Sequence, residues 1–156
     1  MAKEILILAP MSGKVIELSK VDDEVFAGEM VGKGFAITPD KKTTEVLSPL
    51  EKGKIKMAFE GGHAYGVVFK KIELLIHIGL DTVNLKGEGF DQKVSEGDKV
   101  KKDTVLTNVD ISIIKKKAKS TDTMVLVTNE TIGDLKIEKV AGDEVKAGEV
   151  LYKLVK

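Results

Sequence analysis

The apolar residues of this 156-residue chain fall into short runs, broken by Gly, Asp or Lys every eight to twelve residues. That rhythm is produced by strands joined through tight turns, and it predicts an all-β fold, an antiparallel β-sandwich or barrel. Val, Ile and Leu mark the strands at alternating positions, as at Val125 and Val127, Leu135 and Ile137, and Val150 to Leu154. Alternation sends successive side chains to opposite faces, so each strand offers one apolar face to a core. One segment departs from period two. Asp110 can cap a short helix near residues 111–119, with Ile113 and Ile114 toward the core and lysines near the C-terminal end, where the helix dipole favours them. No other helix is expected.

The pattern also repeats. Val21-Asp22-Asp23-Glu24-Val25-Phe26-Ala27-Gly28-Glu29-Met30-Val31 returns as Glu96-Gly97-Asp98-Lys99-Val100-Lys101-Lys102-Asp103-Thr104-Val105-Leu106. It returns again as Ala141-Gly142-Asp143-Glu144-Val145-Lys146-Ala147-Gly148-Glu149-Val150-Leu151. Each copy reads as a Gly/Asp turn, an inward Val, a second turn and the start of a strand. Ala9-Pro10-Met11-Ser12-Gly13-Lys14-Val15 is echoed by Ser48-Pro49-Leu50-Glu51-Lys52-Gly53-Lys54-Ile55. The period is irregular, which excludes a solenoid and points to a sandwich assembled from copies of one hairpin unit.

Composition narrows the function classes. The length fits one domain, residues 1–156. Lys+Arg and Asp+Glu balance at 25 each, so no charge excess argues for nucleic acid or an anionic surface as partner. Cysteine is absent, which removes disulfides, thiol nucleophiles and Cys-based metal sites. The apolar stretch at the N-terminus is too short for a signal peptide or anchor, and the expectation is a soluble cytoplasmic protein. Met1 and the lack of linker-like tails favour a free-standing chain.

The chemistry concentrates on the only two histidines, His63 and His77, which lie in neighbouring apolar runs. A three-residue loop of Phe69, Lys70 and Lys71 would pair Val68 with Ile72, Tyr65 with Leu75 and His63 with His77. Directly opposed residues share a face, with Cβ atoms roughly 4.5–5.5 Å apart. A loop of even length would send the rings to opposite faces. A neutral imidazole is a good nucleophile near neutral pH. Gly79, two residues on, would leave room for an incoming group, and Asp81 could orient a ring. Two imidazoles at this spacing can also chelate zinc, with Glu73 or Asp81 as the available third ligand.

The residues around His77 resemble a known signature. His77-Ile78-Gly79-Leu80-Asp81-Thr82-Val83, followed by Leu85-Lys86-Gly87-Glu88-Gly89-Phe90, is similar to the active-site motif of glucose-type enzyme IIA (the EIIA-Glc family) of the bacterial phosphoenolpyruvate-dependent sugar phosphotransferase system. His63-Ala64 is similar to that family's second active-site histidine, and the likeness runs from about residue 5 to the end. The resemblance implies one enzyme IIA domain with an antiparallel sandwich fold, acting as a phosphotransferase. His77 would accept a phosphoryl group from the carrier protein HPr and pass it to a cysteine on the enzyme IIB domain of a glucose-type permease. His63 would bind the phosphoryl oxygens. Val25, Phe26, Met30, Val31, Phe59, Leu75 and Val83 would ring the site, and Asp23 and Asp81 would receive a basic partner. No cofactor is required, though zinc held by His63 and His77 is compatible with the family. Gly61 stands where many members carry a threonine that hydrogen-bonds the second histidine, so that contact must come from elsewhere. Two other readings compete: a zinc hydrolase, and a biotinyl- or lipoyl-type carrier, which would need a lysine such as Lys56 at a hairpin tip.

Overall fold

The computed structural model describes residues 4–156; Met1 lies outside them. In chain order the strands are β1 (Glu4–Leu8), β2 (Gly13–Glu17), β3 (Gly32–Pro39), β4 (Glu45–Leu47), β5 (Lys52–Ala58), β6 (Ala64–Phe69) and β7 (Ile72–Leu80). They continue as β8 (Phe90–Gln92), β9 (Lys99–Lys101), β10 (Val105–Val109), β11 (Ser120–Thr128), β12 (Lys136–Lys139), β13 (Glu144–Val145) and β14 (Val150–Val155). Eight of them form one sheet in the order β13-β2-β3-β11-β7-β6-β5-β9. Two three-stranded sheets, β1-β14-β12 and β4-β10-β8, complete the antiparallel sandwich.

β7 shows how alternation builds the core. Ile72, Leu74, Ile76 and Ile78 are buried in the main cluster between the sheets, with Tyr65, Val67, Val125 and Val127 from the neighbouring strands. Burying each such side chain contributes about 1.5–3 kcal/mol. Glu73, Leu75 and His77 project to the other face. There a smaller cluster of Leu18, Val21, Ala36, Leu80, Met124 and Leu126 covers part of the sheet, with Phe26 and Val31 packed at its margin. His77 sits on the strand beside this cover, opposite Met124 on one side and Ala64 on the other.

The expected helix forms as α2 (Ile111–Lys117), and the Asp110 carboxylate accepts from the Ser112 and Ile113 backbone N–H groups. Its buried residues are Ile111 and Ile114; Ile113 is only half-buried. Further helical turns form where none was expected: α1 (Glu24–Ala27), α3 (Asn129–Ile132), and 3-10 turns at Leu18–Lys20 and Thr82–Leu85. These are one turn long, too short to leave a helical period in the sequence.

The repeats are real in space. Leu8 N–H donates to Pro49 O (2.7 Å) and Leu47 N–H to Pro10 O (2.8 Å), so the two Pro loops are cross-linked reciprocally. Val145 lies opposite Gly13 as Val100 lies opposite Gly53. The turn bonds correspond too: Glu29, Thr104 and Glu149 each donate to the carbonyl three residues back. One copy departs. Val100 and Val145 are 4% and 6% exposed, whereas Val25 is 45% exposed, because its segment coils into α1 instead of joining a sheet edge.

Candidate active site

The two imidazoles meet. Their ring centroids are 5.3 Å apart and inclined at 74°. The expected register does not produce this. β6 and β7 are joined by only two residues, Lys70 and Lys71, and the pairs are Phe69 with Ile72, Tyr65 with Ile76 and Ala64 with His77. The loop is of even length, yet the rings still share a face, because His63 precedes β6. The turn before it passes through Gly61 and Gly62 at φ 93° and 82°, which breaks the alternation of the strand. The His63 backbone remains tied to β7, its carbonyl accepting from Ile78 N–H at 2.8 Å.

A Cβ at Gly62 would lie 3.2 Å from the Tyr65 hydroxyl, and one at Gly61 would lie 3.1 Å from Gly87 N, so a side chain at either position would be crowded as well as strained by the left-handed backbone. With Gly61 unable to bond the ring, the Glu60 backbone is the neighbour that favours the protonated form of His63.

His77 is held differently. Its Nδ1 lies 2.9 Å from the Gly79 carbonyl. A carbonyl only accepts, so Nδ1 carries the proton and Nε2 keeps its lone pair. Gly79 therefore orients the ring, the part expected of Asp81, which is exposed and turns through left-handed backbone at φ 60°. Nor does Gly79 leave room for an incoming group. A Cβ there would meet Thr82 Cγ2 at 2.6 Å and the Ser120 carbonyl at 2.8 Å.

Both imidazoles have proton affinities below the ordinary histidine value. Burial lowers that of His63, opposed by the Glu60 backbone. Burial is also the main cause for His77 and neighbouring His63 adds to it, while the Gly79 carbonyl and the Asp23 carboxylate pull the other way. Two neutral rings at neutral pH follow, which leaves a nucleophilic lone pair available.

Aromatic rings extend the pair into a row. Phe26 lies 5.0 Å from His77, and Phe59 lies 6.0 Å from His63. Of the other expected rim residues, Val25, Met30 and Val83 are exposed, Met30 at 71% and Val83 at 60%. Leu75 is half-buried on the His77 face, opposite Leu126 and Gly66. Val31 is half-buried and packs against the small outer cluster. Asp23 is close enough to act on His77, but its carboxylate is also the cap of α1, accepting from Val25 N–H at 2.9 Å and Phe26 N–H at 3.3 Å.

The competing readings lack their residues. Among the described residues no group of three or more His, Asp or Glu is placed to hold a metal. Glu73 is committed to Lys56 at 3.0 Å, four residues along β7 from His77, or about 13 Å of strand. The chain thus offers two of the four ligands of a closed zinc site. Lys56 lies within β5, ion-paired to Glu73, and not at a hairpin tip where a swinging-arm lysine belongs. No helix among the described residues is long and apolar enough to cross a membrane.

Residues 5–132 match the family described as phosphoenolpyruvate-dependent sugar phosphotransferase system, EIIA 1. The chain is 45% identical to the PTS system glucose-specific EIIA component of Halalkalibacterium halodurans, over 99% of its own length and 87% of the relative's. It is 44% identical to part of the PTS system glucoside-specific EIICBA component of Staphylococcus carnosus, covering 94% of this chain and 20% of that one. Among solved structures, glucose permease IIA from Mycoplasma capricolum superimposes with a TM-score of 0.88 at 39% identity, over 97% of this chain and 96% of that one.

Proposed function

The chain belongs to the EIIA 1 family of the phosphoenolpyruvate-dependent sugar phosphotransferase system, and from that premise we propose that His77 Nε2 is its phosphoryl acceptor. The observation that carries this reading is the 2.9 Å contact from Nδ1 to the Gly79 carbonyl, which leaves Nε2 as the free lone pair beside His63. The donor is the phosphohistidine of HPr. Nε2 attacks phosphorus in line, the donor P–N bond breaks, and the electron pair returns to the donor ring. His77 becomes a phosphorylated imidazolium whose Nδ1–H still donates to Gly79 O, which stabilises the arriving positive charge. A thiolate on the enzyme IIB domain of a glucose-type permease then takes the phosphoryl group, and the electron pair returns to Nε2.

Such transfers need positioning and charge stabilisation more than covalent help. His63, taking up a proton as the phosphoryl charge arrives beside it, supplies the donor for the phosphoryl oxygens. Because both partners are proteins, the docking surface is the exposed apolar rim of Val25, Met30, Phe59 and Val83 around Phe26 and Leu75. Asp23 and Asp81 meet a basic partner. The cycle proceeds in the cytoplasm, and this chain contributes to it as one enzyme IIA domain.

Labelled phosphoenolpyruvate with enzyme I and HPr tests the roles separately. His77→Gln is expected to take up no phosphoryl group. His63→Gln is expected to take it up from HPr and to pass it to enzyme IIB at least about tenfold more slowly. Uptake by His77→Gln would overturn the assignment.

A further inference from the structure

The end of β7 that carries His77 leaves the sheet through a tight turn, with left-handed backbone at Gly79 (φ 75°) and Asp81 (φ 60°). The pairing of β7 with β11 shifts register here, between Ser120 opposite Leu80 and Thr123 opposite Ile78. A bulge of this kind removes backbone groups from the ladder and re-aims them. The Gly79 carbonyl is one such group, and it points to His77 instead of across the sheet.

Thr82 closes that turn. It is buried, and its hydroxyl donates to the Ile78 carbonyl at 2.7 Å. Its methyl occupies the space a Gly79 Cβ would need, at 2.6 Å from that position. Ile78 is held from the other strand as well, its N–H donating to the His63 carbonyl at 2.8 Å. One peptide flank of Gly79 is therefore anchored by Thr82. The other is anchored by Leu80, whose carbonyl accepts from Lys119 N–H at 3.2 Å.

We infer that Thr82 is a positioning residue for phosphoryl acceptance: by its hydroxyl and methyl together it holds the Gly79 carbonyl against Nδ1, so that the proton stays there and the lone pair stays on Nε2. Thr82 touches neither the imidazole nor the incoming group. Its effect passes through Gly79, as outer partners of histidine ligands act in metal sites, where losing one costs roughly 10–100-fold. The inference rests on His77 being the acceptor, but its most direct consequence, a fixed tautomer, exists before any phosphate arrives.

The test compares the full chain with Thr82→Val and Thr82→Ser. Val keeps the shape and loses the donor, whereas Ser keeps the donor. Long-range proton–nitrogen NMR of the unphosphorylated protein reads the His77 tautomer, and the position of phosphate on the ring is read after incubation with phosphoenolpyruvate, enzyme I and HPr. Thr82→Val is expected to mix the two tautomers, to slow acceptance about tenfold, and to divide phosphate between Nε2 and Nδ1. Thr82→Ser is expected to restore the parent tautomer and the Nε2 product. A Thr82→Val protein with the parent tautomer overturns the inference. If Thr82→Val does not fold, Thr82→Cys, close in size and a weaker donor, replaces it with the same readouts. A shifted tautomer in Thr82→Val, together with a parent chain whose His77 takes no phosphate, would retain the tautomer-fixing role of Thr82 and refute the acceptor assignment instead.

Discussion

At the scale of single residues, burial governs both histidines and links the site to stability. Each has a folded-state pKa lowered from about 6.5, chiefly by desolvation. The unfolded chain therefore binds protons at these positions first as pH falls. Their contribution is fully present above about pH 6.5 and is lost as pH drops toward the folded values. Replacing His63 with Gln removes part of that loss. Urea denaturation at about pH 7.5 and about pH 5.5 is expected to show a smaller drop for His63→Gln than for the parent; an equal or larger drop contradicts it. The residue scale was also where the sequence was most legible. His63 and His77 were expected on one face, and their rings meet there, although through a different register from the one expected. What could not be read was the means of contact. The two-residue loop and the left-handed turn at Gly61 and Gly62 undo each other's effect on facing, and neither angle is written in residue type.

At the scale of elements, the three copies of one motif explain how scaffold became surface. The copies containing Val100 and Val145 join sheet edges and bury their valines. The copy containing Val25 keeps the same turn bond but coils into α1, capped by Asp23, and brings Phe26 to 5.0 Å from His77. Sequence similarity among the copies made all three read as inward. The difference arises from tertiary pairing: no strand accepts the Val25 segment, so it lies on the outer cluster of Leu18, Val21 and Leu126. A charge on this element should affect docking and not folding. Val25→Asp is expected to slow uptake from HPr about tenfold while changing stability by no more than about 0.5 kcal/mol, measured by transfer kinetics and by urea unfolding. A parallel loss of both would show that Val25 is structural.

At the scale of the whole molecule, alternation and turn chemistry were enough to give an antiparallel sandwich, because nearly every strand has one buried face. Strand order was not legible, since it depends on long-range pairings such as β11 between β3 and β7. The edge of the large sheet carries its own protection. Lys52 lies opposite Lys101 and Lys54 opposite Lys99, all exposed, an arrangement that disfavours addition of a further strand. Replacing Lys99 and Lys101 with Thr is expected to increase concentration-dependent association in sedimentation relative to the parent; a variant that associates no more than the parent would remove that role. Beside this charged edge and continuous core, the feature that bears the proposed chemistry is the His63–His77 face. Its meaning is decided by locating the phosphoryl group after incubation with phosphoenolpyruvate, enzyme I and HPr, using peptide mass mapping and phosphorus–nitrogen NMR. One acid-labile phosphoryl group on Nε2 of His77 is the predicted result; phosphate on His63, or on Nδ1 of His77, would contradict it.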